Sequence, residues 1–246
     1  MLCIRNEDIM DIRGVVFDVD DTLYDMAQPF LGAYRELCGE RYDLPVQELF
    51  LAFRRHSDDR FVDSQTGKMT MEELYIYRVR MMLRDYDIDV TDEEALAFQR
   101  LYMDLQYRIC LSPVMQDLLD ALHSRAAIGI ITNGESRHQR NKLRSLNVSP
   151  WVPEEHIIVS GDLPFRKPDV RIFREMEHRL HLAPEHLIYV GDAFDLDMVG
   201  AQQAGWQSVW FNHRRRSIPE NSDIRPNAEV HTEEELAAVL KEYLRK

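Results

Sequence analysis

Hydrophobic positions along this chain follow two rhythms. Four short apolar runs, at residues 126–131, 157–159, 187–190 and 209–211, each have the length of a strand, and helix-like stretches lie between most of them. A fifth run, Val15 to Phe17, stands apart near the start. Strands apolar on both faces belong inside a parallel sheet, so the five runs predict a doubly wound, Rossmann-like α/β sheet with right-handed crossovers. A final helix is expected over residues 233–245, with Thr232 as its cap and Leu236, Val239, Leu240 and Leu244 on its apolar face.

From residue 24 to residue 111 the rhythm is helical and no strand is evident. Phe30, Tyr34 and Leu37 share one helical face, as do Leu74, Tyr77, Val79, Met81 and Met82 along a broad stripe. Thr91 and the acids after it read as the start of a helix over residues 95–106, with Leu96, Leu101 and Leu105 among its apolar positions. Aromatic and Met residues on such stripes are expected to pack a core. The expected organisation is an α/β domain formed by residues 1–23 and 112–246, interrupted after its first strand by an all-helical insert over residues 24–111.

The bulk properties narrow the partners. A formal net charge of -13 disfavours non-specific binding to nucleic acid or to an anionic membrane, although an anionic substrate can still be held in a locally positive pocket. Cys3, Cys38 and Cys110 have no CxxC spacing, which favours free thiols in a reducing compartment. Neither a leader-like N-terminus nor an apolar run of membrane-spanning length is present, and the expected location is cytoplasmic. No repeat period is evident.

Candidate chemistry gathers at the strand ends. Phe17-Asp18-Val19-Asp20-Asp21-Thr22 places three carboxylates where a buried strand stops, at the sheet edge where ligands of open α/β folds bind. Two like charges about 4 Å apart repel by roughly 4 kcal/mol at an effective dielectric of 20, so the pair Asp18 and Asp20 calls for a cation or a proton. The next strand ends in Thr132-Asn133-Gly134 before a helix over residues 135–146, which reads either as a helix cap or as an anion site made of a hydroxyl and free N–H groups. Lys167 precedes Pro168 and a helix from about residue 170. Alone it reads as a solvated surface lysine; with Pro168 setting the first helical turn, it would supply positive charge at the same edge. The fourth strand ends in Gly191-Asp192 and continues to Asp195 and Asp197. His178, His181 and His186 lack a metal-ligand pattern, and the run from His213 to Arg216 reads as a solvated basic loop rather than a nucleic-acid site.

In order and spacing these four segments resemble the motif set of the haloacid dehalogenase superfamily: Asp-x-Asp-x-Thr, an apolar strand ending in Thr or Ser, Lys-Pro, and Gly-Asp-x-x-x-x-Asp. Pro164 and Val170 depart from it, falling where Gly and Pro are common in relatives. The resemblance implies a phosphomonoester hydrolase with a helical cap inserted after the first motif. Asp18 would be the nucleophile forming an aspartyl-phosphate, and Asp20 the acid and base, with a pKa nearer the working pH than that of Asp18. Mg2+ would be held by Asp18, the Asp20 main-chain carbonyl and Asp192, with Asp197 supporting; Lys167 and Thr132, with N–H groups near Asn133 and Gly134, would bind the phosphoryl group. The implied substrate is a small phosphate ester, a nucleotide or sugar phosphate. A phosphomutase would share the motifs. Asp20 counts against a carbon-halogen hydrolase, and a catalytically idle binding or regulatory protein on the same fold is the non-enzymatic alternative.

Overall fold

A computed structural model of the chain describes residues 11–38 and 41–244. Cys3 and the rest of the N-terminal stretch read above lie outside the described residues. The chain divides into two compact units, one running to Asp25 and resuming at Cys110, the other Met26–Ile109.

The first unit is built on six parallel strands. β1 (Gly14–Phe17) lies between β2 (Ala127–Thr132) and β4 (Leu187–Gly191); β3 (Ile157–Val159) flanks β2, and β5 (Gln207–Phe211) and β6 (Ala228–Val230) continue beyond β4. Val15 is level with Ile128 on one side and with Ile188 on the other. The order β3-β2-β1-β4-β5-β6 reverses direction at β1, and a crevice at the carboxyl ends of β1 and β4 is the ligand position such a reversal creates. The sheet core includes Val16, Ile131, Ile158, Phe173, Tyr189, Trp206 and Trp210, all buried. Phe173 meets the Trp206 ring edge-on, with centroids 5.5 Å apart.

β6 was not expected from the sequence. It has three residues, with Ala228 and Val230 buried and Glu229 exposed, too short to show a period. β5 begins two residues early because Gln207 and Ser208 are buried polar strand residues: the Ser208 amide donates to Asn227 Oδ1 at 2.9 Å, and its hydroxyl accepts from Gln202 Nε2 at 3.0 Å.

The second unit consists of α1 (Ala27–Leu37), α2 (Val46–Gln65), α3 (Met71–Arg84) and α4 (Asp92–Gln106). Thr70 and Thr91 close capping boxes with Glu73 and Glu94, which fixes where α3 and α4 start. Phe30 is the hub of its core, with Phe50, Phe53, Phe98 and Tyr102 ringed around it at centroid distances of 5.2 to 6.4 Å. The buried face of α4 is Ala95, Phe98, Gln99, Tyr102 and Gln106, one step round from the expected Leu96, Leu101 and Leu105, because the large rings take the inward positions. Gln99 is inside because its Oε1 accepts from Nε and Nη2 of the buried Arg78.

The remaining helices belong to the sheet unit: α5 (Pro113–His123), α6 (Ser136–Leu146), α7 (Val170–Leu180), α8 (Val199–Gln203) and α9 (Glu233–Tyr243). Asp169, not Pro168, precedes the first turn of α7 as its cap and accepts from the Arg171 amide at 2.9 Å. Among the described residues, no helix is long and apolar enough to cross a membrane.

Candidate active site

Asp18 follows the last residue of β1, and its amide still donates to the Val190 carbonyl at 2.9 Å, so the ladder pins it at the carboxyl edge of the sheet. Its Oδ1 accepts from Lys167 Nζ at 2.6 Å. The same ammonium donates to Asp197 Oδ1 at 2.7 Å and to the Tyr189 hydroxyl at 2.9 Å, and that hydroxyl donates in turn to the Ile131 carbonyl at 2.8 Å. Lys167 is only 2% exposed, which sets aside the surface reading of this lysine. All three donor positions of the ammonium are taken, as a buried charge requires.

Asp197 sits in a π-helical turn, Phe194–Met198, that leads into α8. Its Oδ2 accepts from the Ala193 amide at 2.9 Å. A Cβ on Gly191 would lie 2.3 Å from that oxygen, so the glycine at the end of β4 is what lets Asp197 fold back over the strand. Asp192 is also buried, and its Oδ2 accepts from Arg216 Nη1 at 3.1 Å.

Asp18, Asp192 and Asp197 each offer a carboxylate oxygen within 4.8 Å of the others. Three hard oxygen donors this close fit a small divalent cation such as Mg2+. The Asp20 side chain belongs elsewhere. Its Oδ1 accepts from Tyr24 Oη at 2.6 Å and Lys142 Nζ at 2.7 Å; its Oδ2 accepts from Gln139 Nε2 at 2.9 Å and Lys142 Nζ at 3.0 Å. Only the main-chain carbonyl of Asp20 is left for the ligand role that the resemblance implies.

The electrostatics reverse one expectation. Burial pushes the Asp18 carboxyl up to about 7, with Lys167 opposing and Asp197 and Asp20 adding to the rise. Asp20 is also buried, yet the Lys142 ammonium and the hydrogen bonds from Gln139, Lys142 and Tyr24 outweigh that and hold it well below the usual carboxylate range. Asp18, not Asp20, therefore has the pKa nearer neutrality before any cation binds. Burial, with Asp197, Asp18 and Asp21 nearby, drives Asp192 well up, against the pull of Arg216. Lys167 is held well above its ordinary value: burial disfavours its charge, but Asp18 and Asp197 more than compensate.

The expected phosphate cradle is only partly as drawn. Thr132 ends β2, is 1% exposed, and its hydroxyl has no hydrogen-bond partner among the described residues, which leaves it available to an incoming oxyanion. Asn133 instead ties two loops: its Nδ2 donates to the Lys167 carbonyl at 3.1 Å and its Oδ1 accepts from the Lys167 amide at 3.0 Å. The Gly134 amide is not free, since it donates to Ser160 Oγ at 3.1 Å.

The basic run also differs from the solvated loop expected of it. The Arg214 side chain is only 9% exposed and grips Asp21 through Nη2 at 2.7 Å and Nε at 3.2 Å; it also pairs with Asp25. Asp21 has a left-handed backbone, φ 56°, that turns the chain after Asp20. The clearest missed residues are Gln139, Lys142, Tyr189 and Arg216. Gln139 and Lys142 left one signal: three apart on a predicted helix, they share the face of Leu143 and Leu146, where apolar residues would be expected.

Comparison with known proteins agrees with this geometry. The pattern defining the haloacid dehalogenase-like hydrolases matches residues 12–205. A glyceraldehyde 3-phosphate phosphatase of Methanothermobacter thermautotrophicus is 33% identical over 211 residues, covering 82% of this chain and 86% of its own. The pyrimidine 5'-nucleotidase YjjG of Escherichia coli is 25% identical over 228 residues, covering 92% and 96%. The magnesium-bound structure of the HAD-hydrolase YfnB from Bacillus subtilis superposes with a TM-score of 0.68 at 26% identity, covering 93% of this chain and 98% of that one. With an all-parallel sheet and an acidic edge built on its first and fourth strands, the chain belongs to the haloacid dehalogenase-like hydrolase family.

Proposed function

We propose that the protein is a Mg2+-dependent phosphatase of small phosphomonoesters, nucleotides or sugar phosphates, working through an aspartyl-phosphate on Asp18. The observation that carries this reading is the buried convergence of Asp18, Asp192 and Asp197, two of them bonded to Lys167, at the sheet edge where β2 ends in Thr132, whose hydroxyl has no partner among the described residues. The names of the phosphatase and nucleotidase relatives support the same class of substrate.

In the first half-reaction an Asp18 oxygen forms a bond to phosphorus as the ester P–O bond breaks, and the leaving alkoxide takes a proton from Asp20. The depressed Asp20 carboxyl must gain that proton once the anionic substrate sits beside it. In the second, water attacks phosphorus as the bond from phosphorus to the Asp18 oxygen breaks and gives a proton to Asp20, releasing inorganic phosphate and restoring the Asp18 carboxylate and the protonated Asp20. Asp18, Asp192 and Asp197 would hold Mg2+, with the Asp20 main-chain carbonyl; the bound ion supplies positive charge that screens Asp18 from an anionic substrate. Thr132 would be a donor to the equatorial oxygens, and Lys167, whose three hydrogens go to Asp18, Asp197 and Tyr189, would supply positive charge beside them, where preorganised groups lower the barrier most.

Asp18→Asn tests this. Mg2+-dependent phosphate release from p-nitrophenyl phosphate should vanish, and full retained activity refutes the reading. A screen of metabolite phosphates then assigns the substrate; accumulation of an isomerised sugar phosphate in place of free phosphate would make the protein a mutase.

A further inference from the structure

We propose that Lys142, assisted by Gln139, is a positioning residue that fixes the plane of the Asp20 carboxylate for proton transfer. The inference rests on the proposed role of Asp20 and adds residues that lie outside the four motifs.

Three observations carry it. The Lys142 side chain is 3% exposed on a helix whose other basic residues, Arg137, Arg140 and Arg144, are less buried, and the ion pair it makes is with Asp20. Lysine is rarely buried unless paired, and packing alone would place an apolar residue beside Leu143 and Leu146. Gln139, one turn earlier on the same face, reaches Asp20 Oδ2 while the same Nε2 donates to the Asn133 carbonyl at 2.9 Å. The backbone makes room for it: a Cβ on Gly134 would come within 2.7 Å of Gln139 Nε2 and 2.9 Å of its Cγ. The glycine after Asn133 thus admits the Gln139 side chain.

The third observation is the division of labour around Asp20. A carboxylate has about four acceptor positions. Here Tyr24 and Gln139 take one each and Lys142 takes one on each oxygen. A reacting oxygen can reach Asp20 only by displacing one donor. Displacing Tyr24 or Gln139 leaves the carboxylate held through both oxygens by Lys142. Losing Lys142 leaves one hydrogen bond per oxygen, and arrival of the substrate then breaks one of those. Lys142 is accordingly the residue that keeps Asp20 aimed throughout the exchange, although it touches neither substrate nor phosphorus.

A double-mutant cycle on turnover of an alkyl phosphate and of p-nitrophenyl phosphate tests the inference. Lys142→Met should lower kcat at least about tenfold on the alkyl ester, with KM changed less than about twofold, and cost less on the aryl ester, whose leaving group needs little protonation. In an Asp20→Ala background the same substitution should cost nothing further. Equal losses in both backgrounds, or unchanged kcat in Lys142→Met, overturn the proposal while leaving the phosphatase reading intact. Wild-type turnover in Asp20→Ala would overturn both the role of Asp20 and this proposal. Thermal melting and Mg2+ binding by calorimetry report the fold of each variant. Gln139→Leu, nearly equal in volume, carries the cycle if Lys142→Met does not fold, with the same readings on a smaller kcat effect.

Discussion

Lys167 Nζ and Asp18 Oδ1 are 2.6 Å apart, although their residues are separated by 149 positions in the chain. The same ammonium holds Asp197, so one lysine partly neutralises an otherwise acidic pocket. Removing one partner of a buried pair leaves the others uncompensated, which typically costs about 3–5 kcal/mol. Lys167→Met should therefore lower stability by about that amount in urea unfolding without divalent cation, and turnover should fall below detection. Added Mg2+ should recover part of the stability and none of the turnover.

The raised Asp18 carboxyl gives a signed pH dependence. Its ordinary value is 3.8 and its value in the folded protein is about 7, so between these the native state binds the extra proton. The contribution is fully present below about pH 4 and is lost as pH rises through about 7. In EDTA, melting temperature should fall from about pH 5 to about pH 7.5, and saturating Mg2+ should remove most of that fall. Calorimetry near pH 6 in buffers of different ionisation heat should show proton release on Mg2+ binding. Asp20 acts oppositely: its depressed carboxyl contributes stability above its ordinary value of 3.8 that disappears only in stronger acid.

Gly191 tests how tightly the edge is built. Alanine there would bring Cβ to 2.3 Å from Asp197 Oδ2 and 2.5 Å from its Cγ. Asp197 must move, taking with it a hydrogen bond to the Ala193 amide and an ion pair to Lys167. Gly191→Ala should weaken Mg2+ affinity at least about tenfold, in the range expected when the support of a metal site is disturbed. Calorimetric titration reads this directly.

In the helical unit the corresponding test is Phe30→Ala. Phe30 is fully buried and meets four other rings. Truncating a core phenylalanine costs about 3–5 kcal/mol. A drop of that size should appear in the urea transition followed by tyrosine or tryptophan fluorescence; a loss under about 1 kcal/mol would mean that the ring cluster contributes little.

The sheet was readable because β1 to β4 are mostly apolar runs buried on both faces, a pattern that few other structures produce. β6 escaped because three residues alternating in exposure carry no period, and the polar start of β5 because Gln207 and Ser208 break the run. At the edge, Asp18, Thr132 and Asp192 stand at strand ends that hydropathy marks, and Lys167 stands shortly before the start of α7. Lys142 and Tyr189 carry no such mark. One reads as an ordinary basic helix residue and the other as one more aromatic in a strand, and only the packed structure turns their polar atoms toward the carboxylates. The Arg216 contact with Asp192 was hidden for a further reason: a run of arginines on an acidic protein gives no sign of which one reaches which carboxylate.

Placing β1 between β2 and β4 has a kinetic consequence. The opening strand has no neighbour to pair with until the chain has been made as far as residue 127, and its second edge stays open until residue 187. Contacts spanning so much chain form slowly, whereas the intervening helices draw on neighbours near in sequence. The expected order during synthesis is helices first and sheet last, with the acidic edge completed only when the fourth strand docks.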